Sequence, residues 1–148
     1  MHEYSLISCR SSDVVSLLEK NVPALLSQLY RAVGWDANAS RTPDRCARML
    51  ATTGFVVCAF KENERVGFGR LLLDEFAACV FDVIVRPEHR RKGIATSIMH
   101  EITRFLDREA RYGFLIDGSN AGELYEGVGF HAEGGERVMY RANQPPMI

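Results

Sequence analysis

The feature that most constrains this 148-residue chain is the run Val83-Ile84-Val85-Arg86-Pro87-Glu88-His89-Arg90-Arg91-Lys92-Gly93-Ile94-Ala95. A β-branched strand ends at a proline, a basic loop follows, and the loop opens directly into a helix. From Gly93 to Glu109, Ile94, Ile98, Met99, Ile102, Phe105 and Leu106 recur at helical spacing and form one apolar stripe. The first backbone N–H groups of a helix have no internal partners and sit at its positive end. Gly93 lets an anion approach the backbone there, and Arg90, Arg91 and Lys92 bring positive charge to the same point. The arrangement reads as a pyrophosphate cradle. A basic run can also be plain solvated surface, but its place between strand and helix favours the anion site. No Gly-x-x-x-x-Gly-Lys occurs, and no Gly-x-Gly-x-x-Gly opens a helix.

The remaining pattern predicts an α/β domain around a mixed sheet. Glu3–Cys9 reads as a first strand, and Ser12 or Asp13 caps a short helix carrying Val14, Leu17 and Leu18. Pro23 suits the first turn of a helix with Leu25, Leu26, Leu29 and Val33, broken by Gly34-Trp35-Asp36. Thr42-Pro43-Asp44 starts another helix, and Gly54 stops it. Phe55–Phe60, Arg65–Leu73 and Phe76–Val85, joined by short polar turns, predict an antiparallel meander. Tyr112–Ile116 predicts a buried strand, parallel to the third meander strand because a helix joins the two. Asn120–Val128 predicts a short helix, and a final strand pair ends near Tyr140-Arg141.

The length suits one domain spanning residues 1–148. The formal net charge of −1 argues against a nucleic-acid partner, and no run approaches the ~20 apolar residues that cross a bilayer. The N-terminus lacks the pattern of a secretory signal. Cys9, Cys46, Cys58 and Cys79 are scattered without ligand spacing, so no metal site is expected, and Cys58 and Cys79 read as small core residues. Together these features predict a cytoplasmic protein.

Two segments carry a resemblance. Val83–Ala95 resembles motif A of the GNAT acetyltransferase superfamily, a Val-x-Val-x-Pro strand followed by Arg-x-x-Gly-x-Ala. Asn120-Ala121-Gly122-Glu123-Leu124-Tyr125-Glu126-Gly127-Val128-Gly129-Phe130 resembles motif B. The motifs stand in the right order with a helix and strand between them, and Ala95 replaces the commoner glycine. The resemblance implies the GNAT fold, a mostly antiparallel mixed sheet splayed between its fourth and fifth strands and flanked by helices. It implies an enzyme that moves acetyl from acetyl-CoA directly to a primary amine.

It also implies roles. The backbone of Val83, Ile84 and Val85 would pair with the pantetheine arm, and the N–H groups of Arg91, Lys92, Gly93, Ile94, Ala95 and Thr96 would hold the pyrophosphate beside Arg90. Asn120 matches a cofactor-contacting position, with a helix cap as the plain alternative. Tyr125 matches the tyrosine that protonates the leaving thiolate, with core packing as the alternative. Where several relatives carry a basic Glu or His, this chain has Cys79 and Phe81, which leaves Asp82 as the strand's carboxylate. Asp82 is either the general base or a structural acceptor, and a water chain competes with it. His89 reads as a surface residue, and Asp36 and Asp44 as carboxylates able to attract a cation.

The run Leu29–Trp35 resembles a subgroup containing small aromatic-amine acetyltransferases, so Tyr30 and Trp35 are expected to line the acceptor pocket, unless Trp35 plugs the core. A protein lysine or N-terminal acetyltransferase, or a non-catalytic acyl-CoA-binding module, are the competing functions. Edge-strand pairing in relatives adds a homodimer to the expectations.

Overall fold

The computed structural model describes residues 3–10, 13, 17, 20–109, 111–117 and 121–132. Asn120 and the expected final strand pair lie outside the described residues, and of the expected first helix only Asp13 and Leu17 lie within them. Among the described residues, five strands form one sheet in sequential order: β1 (Ser5–Arg10), β2 (Phe55–Lys61), β3 (Glu64–Leu73), β4 (Ala77–Val85) and β5 (Tyr112–Leu115). β1 to β4 pair antiparallel, and β4 pairs parallel to β5. The described helices are α1 (Val22–Ala32), α2 (Pro43–Thr52), α3 (Ile94–Glu109) and α4 (Gly122–Glu126). At the start of α2, Thr42 Oγ1 accepts from the Arg45 N–H at 3.4 Å and Pro43 fills the first turn, as Thr-Pro-Asp predicts.

The period of two along β2 divides the core. Phe55, Val57 and Ala59 face α3, where they meet Ile94, Ile98, Met99, Ile102, Phe105 and Leu106. Val56 and Cys58 face α1 and α2, where they meet Leu26, Leu29, Tyr30, Cys46 and Leu50. α3 sits close to the sheet because β3 carries glycine beneath it. A Cβ on Gly69 would stand 2.7 Å from Ile98 Cγ2.

Two departures from regularity shape the site. First, β5 pairs only with Ala77–Val80, while β4 runs on to Val85, so the sheet splays beyond Val80. Second, β3 and β4 slip register between them. Arg70 pairs with Phe81 and Phe68 with Ile84, so Asp82 and Val83 together oppose Gly69. This is a β-bulge, and Asp82 takes the left-handed conformation in it, with φ 53°.

One expectation needs correcting. β5 is not a buried strand: Tyr112 is 69% exposed and Phe114 46%. Among the described residues, one of its faces meets a helix. Gly113 lies against Leu106 of α3, and Leu115 packs on the α3-side core. Among the described residues no helix is long and apolar enough to cross a membrane.

Candidate active site

The chain leaves β4 through a short 3-10 turn, Pro87–His89, and enters α3 at Ile94. Arg91 and Gly93 both have left-handed φ, 62° and 79°. Left-handed residues in such a turn gather successive N–H groups into a concave, anion-binding face. The Ser97 N–H donates to the Gly93 carbonyl at 3.0 Å, the first bond of α3, so the amides of Gly93 to Thr96 precede the helix's own acceptors. Two anchors hold the loop. Arg86 Nε donates to the Arg65 carbonyl at 3.1 Å, and His89 Nδ1 lies 3.2 Å from the Tyr4 hydroxyl, with Nε2 3.6 Å from Glu64. His89, expected at the surface, is therefore mostly enclosed.

Peptide groups alternate in direction along β4. The Arg86 N–H donates to Val66 of β3 at 2.8 Å, while the Val85 carbonyl accepts from Arg90 Nε at 3.1 Å on the opposite side. The backbone polar groups of Val83 and Val85 therefore face the side that β5 has left.

A cavity of about 990 Å³ joins these parts. Its walls are Val83–Val85 of β4, His89–Arg91 of the loop, Gly93–Thr96 at the head of α3, Ala121–Glu126 around α4, and Val33 with Trp35 beyond α1. It thus gathers Val83, Ile84, Val85, Arg90, Arg91, Gly93, Ile94, Ala95, Thr96, Tyr125 and Trp35 from the residues singled out in the sequence. Lys92 is exposed beside it and is not part of the wall.

Tyr125 packs against the α3-side core and borders the cavity. Burial first, and the nearby Asp117 second, push its phenol above the usual tyrosine range, so it holds its proton at neutral pH. Trp35 is 43% exposed, its backbone N–H donating to the Tyr30 carbonyl at 2.9 Å, and it borders the cavity instead of plugging the core.

Two expected site residues stand elsewhere. Tyr30 is fully buried among the α1–α2 core residues, and its hydroxyl donates to Asp82 Oδ2 at 2.7 Å. It does not border the cavity, because the inward face of α1 carries it into the core. Asp82 Oδ2 also accepts from Arg70 Nε at 2.7 Å, and neither residue contributes to the wall. Asp82 thus accepts from two side chains, Tyr30 and Arg70, on the core side of β4. Asp36, expected to attract a cation, has a buried side chain that accepts from the Arg41 N–H at 2.9 Å. Sequence reasoning missed Arg70 altogether, as well as Glu123 and Glu126 on the cavity wall. The two glutamates flank Tyr125 in sequence, which was the available signal.

The site is thus framed by a sheet splayed at its parallel strand pair, with a basic loop at the head of the crossover helix. The family model for the acetyltransferase (GNAT) domain matches residues 52–132, more than half of the chain. The chain belongs to the GNAT acetyltransferase family, and its class of activity is N-acetyl transfer.

The solved structures it resembles include an aminoglycoside acetyltransferase from an uncultured soil metagenomic sample, in complex with sisomicin (18% identity, TM-score 0.73, 96% of this chain and 97% of that one). A GNAT family acetyltransferase from Streptococcus pneumoniae TIGR4 is 24% identical (TM-score 0.67, 95% and 98%). A ribosomal-protein-alanine N-acetyltransferase from Brucella melitensis biovar Abortus 2308 is 18% identical (TM-score 0.63, 95% and 100%). At these identities they share the fold; the acceptors in their names are their own. No curated protein matches the chain.

Proposed function

We propose that the chain binds acetyl-CoA in the 990 Å³ cavity and transfers its acetyl group directly to a small primary amine. The observation that carries this is the convergence on one cavity of the α3 head, the splayed half of β4 and Tyr125. Acetyl-CoA supplies the thioester carbon that an unprotonated amine attacks. The residues fit that group. The amides of Arg91 to Thr96 hold the pyrophosphate, with Arg90 and Arg91 beside them, and Lys92 adds charge from outside the wall. The open-side polar groups of Val83 and Val85 run along the extended arm, and the Val83 N–H stabilises negative charge on the carbonyl oxygen. Tyr125, protonated at neutral pH, gives its proton to the departing sulfur.

The acceptor end is assigned to Trp35, Glu123 and Glu126. An exposed indole beside carboxylates suits an amine that is cationic, aromatic or both. Ammonium protons leave through solvent in the cavity, since Asp82 does not border it.

The test is release of free thiol from acetyl-CoA over a panel of aromatic amines, polyamines and peptides. Amine-dependent release, fastest with a small cationic or aromatic amine, is expected. Release with peptides alone would move the acceptor to a protein. Binding of acetyl-CoA without release from any amine would make the chain a non-catalytic acyl-CoA module.

A further inference from the structure

We infer that Tyr30 and Arg70 are positioning residues that act through Asp82 to fix the β4 bulge, and so determine which backbone N–H groups face the cavity. The inference rests on the acetyl-transfer reading and adds to it the device that aims the splayed strand.

The bulge sets the phase of everything after it. Before it, Phe81 pairs with Arg70; after it, Ile84 pairs with Phe68. Over this stretch β3 advances from Arg70 to Phe68 while β4 takes one residue more. In a regular ladder peptide groups alternate, so those of Phe81, Val83 and Val85 would share one direction. Because of the extra residue, Ile84 and Arg86 take the β3 side instead, as the Arg86 N–H bond to Val66 shows. Val83 and Val85 are thereby turned to the cavity. Without the bulge they would face β3, and the site would lose the N–H groups assigned to the carbonyl and the extended arm.

An aspartate tolerates the left-handed conformation that the bulge needs, but that tolerance alone does not fix the arrangement. Asp82 adopts φ 53°, a conformation that side chains other than Gly, Asn and Asp seldom take. What holds it is its carboxylate. Oδ2 accepts from Tyr30 on α1 and from Arg70 on β3, each at 2.7 Å. Arg70 and Asp82 are nearly enclosed, with side chains 12% and 13% exposed. Tyr30 is fully buried and held from a third side, with Met49 Sδ 3.6 Å from its hydroxyl and the Arg41 guanidinium 4.3 Å from its ring centre. Burial and the adjacent Asp82 push the Tyr30 phenol far above its ordinary range, so it is a donor throughout the working pH. The bulged residue is thus fastened to α1 and to β3 at once, at the point where β5 leaves the sheet.

The experiment compares Asp82→Asn, Asp82→Ala and Tyr30→Phe with the unsubstituted protein, reading kcat with the best amine and, separately, acetyl-CoA affinity. Asparagine tolerates left-handed φ and keeps a carbonyl acceptor for both donors, but cannot take up a proton. Alanine loses the acceptor and disfavours the conformation. The expected result is that kcat falls by about 30- to 100-fold in Asp82→Ala, the scale of a roughly 1 Å misplacement, and recovers to within about threefold in Asp82→Asn. Tyr30→Phe, which keeps the core volume, should lower kcat by about tenfold with acetyl-CoA affinity changed by about threefold or less. If Asp82→Asn is as inactive as Asp82→Ala while binding acetyl-CoA normally, Asp82 is the base and the inference falls. Unchanged kcat in both Asp82→Ala and Tyr30→Phe would also overturn it, leaving acetyl transfer intact. Failure of the unsubstituted protein to bind acetyl-CoA would remove the proposed function, and this inference with it. Should Asp82→Ala not fold, the Asp82→Asn and Tyr30→Phe pair decides alone.

Discussion

Tyr125 is the side chain to which a defined chemical act is assigned, and its surroundings fit that act. Its ring rests on the α3-side core, which fixes its direction, and burial keeps its hydroxyl protonated. Tyr125→Phe is expected to lower kcat by about 10- to 100-fold and leave acetyl-CoA affinity nearly unchanged, measured by steady-state kinetics beside equilibrium titration. Trp35→Ala should act on the other substrate, raising KM for the amine by about tenfold with a smaller effect on kcat, because it removes contact surface and no proton donor. The residues that could be read beforehand are those whose role is local. Arg90 to Thr96 form one continuous loop and helix head, and their chemistry follows from that continuity. Asp82 could not be assigned in the same way. Its partners lie 52 positions away at Tyr30 and 12 away at Arg70, and no spacing in the sequence announces either bond.

At the scale of elements, α3 and β3 are fitted to each other. Gly69 leaves no room for a side chain, since an added Cβ would meet Ile98 Cγ2 at 2.7 Å, and that methyl is held stiffly by the branch at its own Cβ. Gly69→Ala should therefore destabilise the fold by about 1–3 kcal/mol, seen as a lower denaturation midpoint with unchanged slope. Pairing it with Ile98→Val, which trims a different methyl, should not relieve the loss, whereas Ile98→Ala, which removes Cγ2, should make the two changes less than additive. α3 was legible in the sequence because Ile94, Ile98, Met99, Ile102, Phe105 and Leu106 obey the helix period and are all buried on one side. The meander was legible from its polar turns. The bulge was not, because β4 is apolar on both faces and shows no alternation whose phase an extra residue could visibly break. β5 was misread as buried because an apolar run reports a preference for strand and not how many faces are covered, and Tyr112 and Phe114 lie on the uncovered one.

Across the whole molecule, groups buried neutral set the response to alkali. Burial pushes the Cys58 thiol from 9.0 up to about 11, and raises Cys46, Cys79 and Tyr30 as well. A pKa raised in the folded state means that the folded chain keeps a proton which the unfolded chain releases. The stabilisation is whole below the unfolded value and is lost as pH rises through the folded one. For Cys58 that window runs from about pH 9 to about pH 11. Melting temperature should accordingly hold steady through neutrality and fall above about pH 9, and Cys58→Ala should make that fall shallower while lowering the plateau. The central claim is that the head of α3 binds the pyrophosphate of acetyl-CoA. Calorimetric titration of the intact protein and of Gly93→Glu with acetyl-CoA tests it most directly, since the variant places a carboxylate where the anion must sit. The account predicts one-to-one binding by the intact protein and an affinity lower by about 100-fold or more in a variant whose circular dichroism is unchanged. Equal affinity in the two proteins, or no binding by the intact one, would contradict it.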